Sequence, residues 1–360
     1  MTDSSGRKIV TQADVARLAG VTRSIVSYVM NNSPRKVSEE TRNRVLWAIN
    51  ELGYRPNKHA RILHHADDNP SGNYIGVILA GNYMFRRPYY ASILASIHDR
   101  VYELGWHIQF IRVYDDFCDP VIFDQFIHRN EIRGLILIGL NQIFHRSACD
   151  TVLMDEIVQR IERVVCIDWE WPGVPSIQFD FQKAAFQATK YLFTLGRKRV
   201  AYLGPNDKRV AGYQQALWEY GISPEKSLIY IATEADKGYA VCTQLIQSGE
   251  PFDAICSGTD EVGIATLHCL DEHELRVPQD ISVVSIDNIE LSAYTVPSLT
   301  TVGVPAGKMG QHAIDTLVSD NTWVSPSEFM ITVPTHLIIR NSSGPIMKTI
   351  PDSDLSLTSD

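Results

Sequence analysis

The sequence predicts a small all-α helix-turn-helix headpiece followed by an α/β core of two doubly wound subdomains. Three observations carry that prediction. Three short helices with their own start and stop signals occupy the first 65 residues. Charge is split: residues 1–65 carry 11 Lys/Arg and 5 Asp/Glu, whereas the whole chain of 360 residues has a net charge of -9. From Tyr74 onward, apolar β-branched runs alternate with helical patterns, and that alternation restarts half-way. A basic head on an acidic body suits a module that faces a polyanion joined to a module with another task. Composition is that of an ordinary globular chain, with 44% hydrophobic and 21% charged residues, which excludes disordered, collagen-like and disulfide-scaffold classes.

The elements can be justified in order. Thr11 can cap a first helix with Asp14 three residues on; Val15, Leu18 and Ala19 form its apolar face, and Gly20 stops it. Thr22 caps a second helix, TRSIVSYVMNN, with Val26, Val29 and Met30 on one face. After a loop with Pro34, Arg35 and Lys36, Ser38 caps a third helix carrying Val45, Ile49 and Leu52, which ends at Gly53. Two helices joined at a glycine, then a third, is helix-turn-helix order. The second helix can enter a major groove, with Thr22, Arg23, Ser24, Ser27 and Tyr28 on its outward face. A solvated helical bundle without a ligand is the alternative, and the basic imbalance argues against it.

In the body, YIGVILA, WHIQFIRV, GLILIGL, VVCID and SIQF read as strands; helices are expected over about 89–104 and 120–130 and before VVCID. The pattern then repeats: helix 181–195, RVAYLG, helix 210–220, SLIYI, helix 237–248, AICSG, helix 261–272 and ISVVSID. Alternation of this kind means parallel strands with helical crossovers. In such sheets ligands bind beyond the carboxyl ends of the strands. The start MTDSSGRKIV lacks the apolar core of a signal peptide, and no apolar run approaches the ~18–20 residues of a membrane helix. The six cysteines form no C-x-x-C pair and read as reduced thiols. No metal-binding or phosphate-loop motif is present, and no histidine stands beside a candidate nucleophile, so the expectation is a binding protein, not an enzyme, with no metal and no cofactor.

The residues also resemble a known family. The headpiece matches D-V-A-x-x-A-G-V at Asp14–Val21, the V-S of the second helix, V-S-x-x-T-R from Val37, and L-G-Y-x-P-N-x-x-A-R-x-L from Leu52 to Leu63. This combination resembles the LacI/GalR family of transcriptional regulators. The body, Tyr74 to about Asn341, resembles that family's periplasmic-binding-protein-like core through L-G-x-x-R-V-A at 195–201, R-V-A-G-Y at 209–213, V-P-x-D-I-S-V-V at 277–284 and P-S-L-T-T-V at 297–302.

The resemblance implies residues 1–56 as DNA-binding headpiece, 57–73 as hinge helix and linker, 74–342 as effector-binding and dimerisation core, and 343–360 as a flexible tail. Within the core, subdomain 1 is expected over about 74–176 and 303–323, and subdomain 2 over about 177–302 and 324–342. It implies DNA contacts from Thr11, Thr22, Arg23, Ser24, Ser27, Tyr28, Asn31 and Tyr54, and from Asn57, Ala60, Arg61 and Leu63 in the hinge. On the residues alone Leu63 reads as an exposed leucine in a linker; the resemblance makes it a wedge in the minor groove. Effector contacts are implied at Tyr89, Tyr90, Asp168, Trp169, Arg209, Thr259 and Asp287.

An arginine and carboxylates suit vicinal hydroxyls while aromatic rings cover a sugar's apolar face. The residues themselves leave other readings open: an Arg209–Asp287 ion pair, helix-start packing for the tyrosines, a turn cap for Asp168 and a core position for Trp169. Two departures from the family pattern stand out: Thr259-Asp260 replaces the usual Asn-Asp, and the loop Gly204–Lys208 is short. The expected function is a cytoplasmic homodimeric repressor on a pseudo-palindromic operator, controlled by a small sugar and without membrane contact. A purine-responsive regulator is the alternative within the family. A sugar-binding transport receptor is the alternative outside it.

Overall fold

Helix punctuation in the headpiece follows the expected chemistry. In the computed structural model, which describes residues 10–30, 37–52, 54, 73–129, 131–143, 148–320, 323 and 329–344, α1 runs Gln12–Ala19. The Thr11 backbone N–H and hydroxyl both donate to Asp14 Oδ2, at 2.9 and 2.7 Å, satisfying the helix start at about 1 kcal/mol. Gly20 takes the left-handed conformation that only glycine adopts without strain (φ 65°), and Val21 N–H donates back to Ala16 at 3.0 Å. α2 spans Arg23–Met30 and α3 spans Glu39–Leu52, with Thr41 N–H on Ser38 Oγ at 3.3 Å. The three helices enclose a core of Val15, Ala16, Ala19, Val26, Val29, Val45, Ala48 and Tyr54. Leu18, expected on that face, is 41% exposed. In a two-turn helix the face that α2 and α3 cover is centred on Ala16 and Ala19, which leaves the i+3 position from Val15 outside.

The chain divides into two compact units, Met1–Asn82 with Val101–Val165, and Tyr83–Arg100 with Cys166–Asp360. The first contains, besides the headpiece, β1 (Tyr74–Leu79), β2 (His107–Val113), α5 (Pro120–Phe126), β3 (Gly134–Ile138) and α6 (Ala148–Arg160). Its strands pair in parallel, β2 and β3 flanking β1. The helix α4, Pro88–Glu103, and the strand β4, Arg163–Ile167, contribute residues to both units.

The second unit continues with β5 (Ser176–Phe179), α7 (Phe181–Thr194), β6 (Val200–Gly204), α8 (Lys208–Glu219), β7 (Ile229–Ile231), α9 (Ala235–Ser248), β8 (Ala254–Ser257) and α10 (Asp260–Glu272). β9 (Ser282–Asp287), β10 (Thr300–Gly303), α11 (Ala306–Val318), β11 (Met330–Val333) and β12 (His336–Ile338) complete it. One of its sheets runs β12-β10-β9-β8-β6-β7, parallel except for the β10–β12 pair. β6, β8 and β9 are buried along their whole length, as parallel strands covered on both faces must be. That is why they read as unbroken apolar runs.

Strand pairing departs from the expected division of segments in two places. β5 pairs with the end of β4 (Cys166↔Ser176), so the set that β4 belongs to extends to Phe179, beyond the expected limit at 176. Met330–Val333, expected in subdomain 2, pairs in parallel with β5; only β12 of the 324–342 stretch joins the β10 sheet. A four-residue strand carries no sequence signal for which sheet it enters.

The quoted motifs have physical reasons. A Cβ on Gly212 would lie 2.0 Å from the Gln182 carbonyl, so the glycine of R-V-A-G-Y lets α8 lie directly against α7. The Tyr213 hydroxyl of the same motif donates to the buried Val200 carbonyl at 2.7 Å. In L-G-x-x-R, Arg199 Nη1 and Nη2 bind Glu225 at 3.0 Å each, and Nε donates to the Pro251 carbonyl.

Candidate functional site

Two carboxylates sit where strands end, both in backbone conformations that L-residues avoid. Asp168 follows β4 with φ 56°, and Asp287 closes β9 with φ 124°, followed by Asn288 at φ 60°. Such positions cost on the order of 1–3 kcal/mol each and cluster at functional sites. Both side chains are buried. Tyr89, in the first turn of α4, donates its hydroxyl to Asp168 Oδ2 at 2.8 Å. Asp168 Oδ1 is buried and has no hydrogen-bond partner among the described residues. Burial pushes the Asp168 carboxyl up to about 7, with the Tyr89 bond and Arg209 pulling the other way.

Arg209 is the second residue of α8. The helix expected over 210–220 therefore starts two residues earlier, at Lys208. Asp207 caps that helix, accepting from Arg209 N–H at 2.9 Å, and its carboxylate also takes Nε and Nη2, the latter at 2.9 Å. Nη1 donates to the Gly258 carbonyl at 2.7 Å, and the guanidinium lies 4.9 Å from the Phe181 ring centroid. The partner of Arg209 is thus Asp207, not Asp287.

Asp287 stands within electrostatic range of Asp260, Arg209 and Arg87; burial first, then the Asp260 carboxyl, hold it well above the carboxylate range. Asp260 is fully buried, accepting from Thr301 Oγ1 at 2.6 Å and Ile289 N–H at 2.9 Å, and burial pushes it up to about 6.

Of the other expected effector residues, Tyr90 packs edge-on to Tyr89 at 5.0 Å between ring centroids and is electrostatically coupled to Asp168, Arg87 and Arg209. Thr259 is the N-cap of α10, its hydroxyl directed at Val262 N–H. Trp169 is buried beside Trp171, with ring centroids 5.5 Å apart. The structure thus brings Tyr89, Tyr90, Asp168, Arg209 and Asp287 into one cluster and gives Thr259 a capping bond.

Sequence reading missed Arg87, Asp207, Asp260 and Glu261. Arg87 Nε donates to Glu261 Oε2 at 2.6 Å, and its guanidinium lies 5.6 Å from the Tyr90 centroid. One signal was available: Arg87 immediately precedes Pro88-Tyr89-Tyr90, so a site using the tyrosines places an arginine beside it.

In the headpiece, Thr22, Arg23 and Ser24 are exposed at the start of α2, while Ser27 and Tyr28 are half-buried. Thr11 is exposed and engaged in its cap. Tyr54, expected at the DNA, packs against the headpiece core at 7% exposure, within electrostatic range of Arg23, and burial raises its pKa. It closes the three-helix core after α3 where an apolar ring is needed. A groove at the helix-turn-helix is lined by Arg17, Gly20, Thr22, Ile25, Thr41 and Arg44, and its two arginines add to the basic surface. Asn31, Asn57, Ala60, Arg61 and Leu63 lie outside the described residues.

Residues 11–57 match the family described as bacterial regulatory proteins, lacI family, and residues 189–343 match a periplasmic binding protein-like domain. The ribose operon repressor of Escherichia coli (strain K12) is 30% identical over 328 residues, 86% of this chain and 92% of the relative. The chain belongs to the lacI family. This lacI-family protein is accordingly a DNA-binding transcriptional regulator with a ligand-binding core. The regulator DegA of Bacillus subtilis (strain 168) is 27% identical over 344 residues, 92% of this chain and 98% of the relative.

Among solved structures, the regulator CelR in complex with cellobiose is similar with TM-score 0.66 and 26% identity, covering 92% of this chain and 99% of that one. The lac repressor dimer bound to operator and an anti-inducer is similar with TM-score 0.65 and 25% identity, covering 94% and 100%. Among the described residues no helix is long and apolar enough to cross a membrane.

Proposed function

We propose that this lacI-family regulator binds a pseudo-palindromic operator as a homodimer and represses carbohydrate-utilisation genes under control of a small sugar held at Asp168, Tyr89 and Asp287. Each headpiece presents Arg23 and Ser24 at the N-terminus of α2 to base edges of the major groove, and Leu63 enters the minor groove. No residue performs catalysis, and the protein acts in the bacterial cytoplasm.

The observation that carries the sugar reading is the buried Asp168 Oδ1 without a partner, next to an Oδ2 fixed by Tyr89. Leaving a buried acceptor unsatisfied costs on the order of 1–3 kcal/mol, which a hydroxyl of a bound ligand returns. The similarity to CelR in its cellobiose complex and to the ribose operon repressor supports the same class of effector. The ligand changes DNA affinity to the extent that it binds the two states of the dimer differently, a coupling of about 1–3 kcal/mol.

The test is fluorescence anisotropy of labelled operator with the full-length protein at fixed salt, with and without ribose, cellobiose, other neutral sugars and purine bases. A neutral sugar that shifts operator affinity about 5–150-fold is the expected result. A response confined to purines would overturn the sugar assignment.

A further inference from the structure

The charges around Asp168 are paired unequally. Arg87 is held by Glu261 at 2.6 Å. Arg209 is held by Asp207 at 2.9 Å and gives its remaining Nη1 to Gly258. Each guanidinium therefore already has its counter-ion. Beside these two pairs lie three more buried carboxyls, those of Asp168, Asp260 and Asp287, with Asp287 in electrostatic range of Asp260 and Glu261. Asp260 spends its oxygens on Thr301 and Ile289. Asp168 is 4% exposed and its Oδ1 has no donor among the described residues.

Burial holds these three carboxyls toward their neutral form, and both guanidiniums are already neutralised, so an incoming phosphate or carboxylate gives up its hydration without meeting an uncompensated cation. It reaches a guanidinium only by displacing Glu261 or Asp207, which leaves a carboxylate buried without its partner. A hydroxyl gives Asp168 Oδ1 its missing donor and displaces nothing.

We propose that the effector site selects by charge, admitting polyhydroxylated ligands that carry no negative charge and rejecting phosphorylated and acidic sugars. The inference rests on the effector-site reading above and narrows it. Arg87 and Arg209, the residues most suggestive of a phosphate site when read singly, act as halves of internal ion pairs beside Asp168. Exclusion comes from the acidic partners rather than from a steric gate.

The test uses the full-length protein, with melting temperature and calorimetric titration as readouts and no DNA present. The probes are D-ribose, D-glucose and cellobiose against D-ribose 5-phosphate, D-glucose 6-phosphate and cellobionate, together with inorganic phosphate against chloride of matched ionic strength. The neutral sugar that binds is expected to outcompete its charged counterpart by about 100-fold, and millimolar phosphate is expected to give no shift beyond chloride. Glu261→Gln frees Arg87 and should create a saturable phosphate-dependent rise in melting temperature that wild type lacks.

A sugar phosphate binding as tightly as its neutral parent, or a saturable phosphate response in wild type, overturns the proposal. So does an unchanged phosphate response in a folded Glu261→Gln. Should that variant misfold, the wild-type comparisons alone decide. A sugar phosphate that binds tightly here and alters operator affinity in the anisotropy assay above would sink the charge rule and leave the effector-site reading intact. A neutral sugar that binds without altering operator affinity in that assay would sink the effector reading and leave the charge rule intact.

Discussion

Replacing Asp168 by Asn tests the strained, buried carboxyl at the centre of the site. Asn accepts the left-handed backbone at φ 56° as readily as Asp, and its side-chain oxygen can keep the 2.8 Å bond from Tyr89. The change therefore removes ionisation and little else. Burial raises the Asp168 carboxyl from 3.8 to about 7. The folded chain then holds a proton that the unfolded chain has already released between about pH 4 and pH 7.

Because the folded pKa is the higher one, wild-type stability falls as pH rises through that window, and the penalty is complete above about pH 7. At about 1.4 kcal/mol per pH unit, the penalty is at most about 4 kcal/mol. Asp168→Asn should escape it. Scanning calorimetry of both proteins from about pH 5 to about pH 8 should show the variant's advantage in melting temperature growing with pH, to several degrees at the upper end. Sugar affinity should fall about tenfold or more, since an amide replaces a charged acceptor. Parallel stability curves across that range would refute the argument, because they would mean that Asp168 titrates as an exposed carboxylate does.

Four further outcomes are expected. Arg209→Ala should lose about 3 kcal/mol of stability as well as ligand response, since it strands Asp207 and the Gly258 carbonyl, whereas Asp287→Asn should lose response while melting no lower than wild type at neutral pH, because burial also raises the Asp287 carboxyl; thermal melts and sugar titrations of the two variants separate these. Arg23→Ala should alter base preference at one half-site position by about 1–3 kcal/mol, and a uniform loss across operator variants with a smaller salt slope would make Arg23 a phosphate contact. Leu63→Ala should weaken operator binding while sparing nonspecific DNA, and equal losses on both would remove the minor-groove role. The expected tail from 343 starts too early, since Ser343 is buried and bonded to Ser282 and Thr300; deleting residues 345–360, which contain two prolines and no heptad repeat, should leave a dimer by light scattering, and collapse from a tetramer would contradict this.

What the sequence made legible was local. Thr11 with Asp14, Gly20 and Ser38 mark helix ends through bonds three or four residues long, so their signals survive in the order of the residues. Buried parallel strands read as apolar runs for the same reason. Asp168 and Asp287 stand at strand ends as the apolar runs indicate, because a parallel sheet delivers the residues after its strands to one rim.

The partners of these residues stayed hidden. Glu261 is 174 positions from Arg87 and looks like any acidic residue in the first turn of a helix. Asp207 looks like an N-cap, which it is, and only the folded geometry shows that the same carboxylate also grips Arg209. The core position of Tyr54 was also hidden: a tyrosine beside a basic hinge reads as a surface contact, and only the fold shows its ring closing a small core within electrostatic range of Arg23.

Several departures from good folding chemistry coincide in this one region, and that coincidence says more than any single residue. Arg209 stands in the first turn of α8, where the helix dipole disfavours a cation, and Asp207 is needed to offset it. Asp168 and Asp287 occupy left-handed backbone that glycine would take without strain. Both are buried as acids, and one oxygen of Asp168 has no partner among the described residues. The helix-start acids Asp260 and Glu261 sit where the dipole favours them, yet Asp260 is sealed from solvent. A chain shaped for stability alone would relieve each of these by a substitution of one residue. Local rules fail together where an outside group completes the interactions. Here the missing piece is a hydrogen-bond donor for Asp168, and that supports the proposal of a receptor for hydroxyls over a structural ion-pair network.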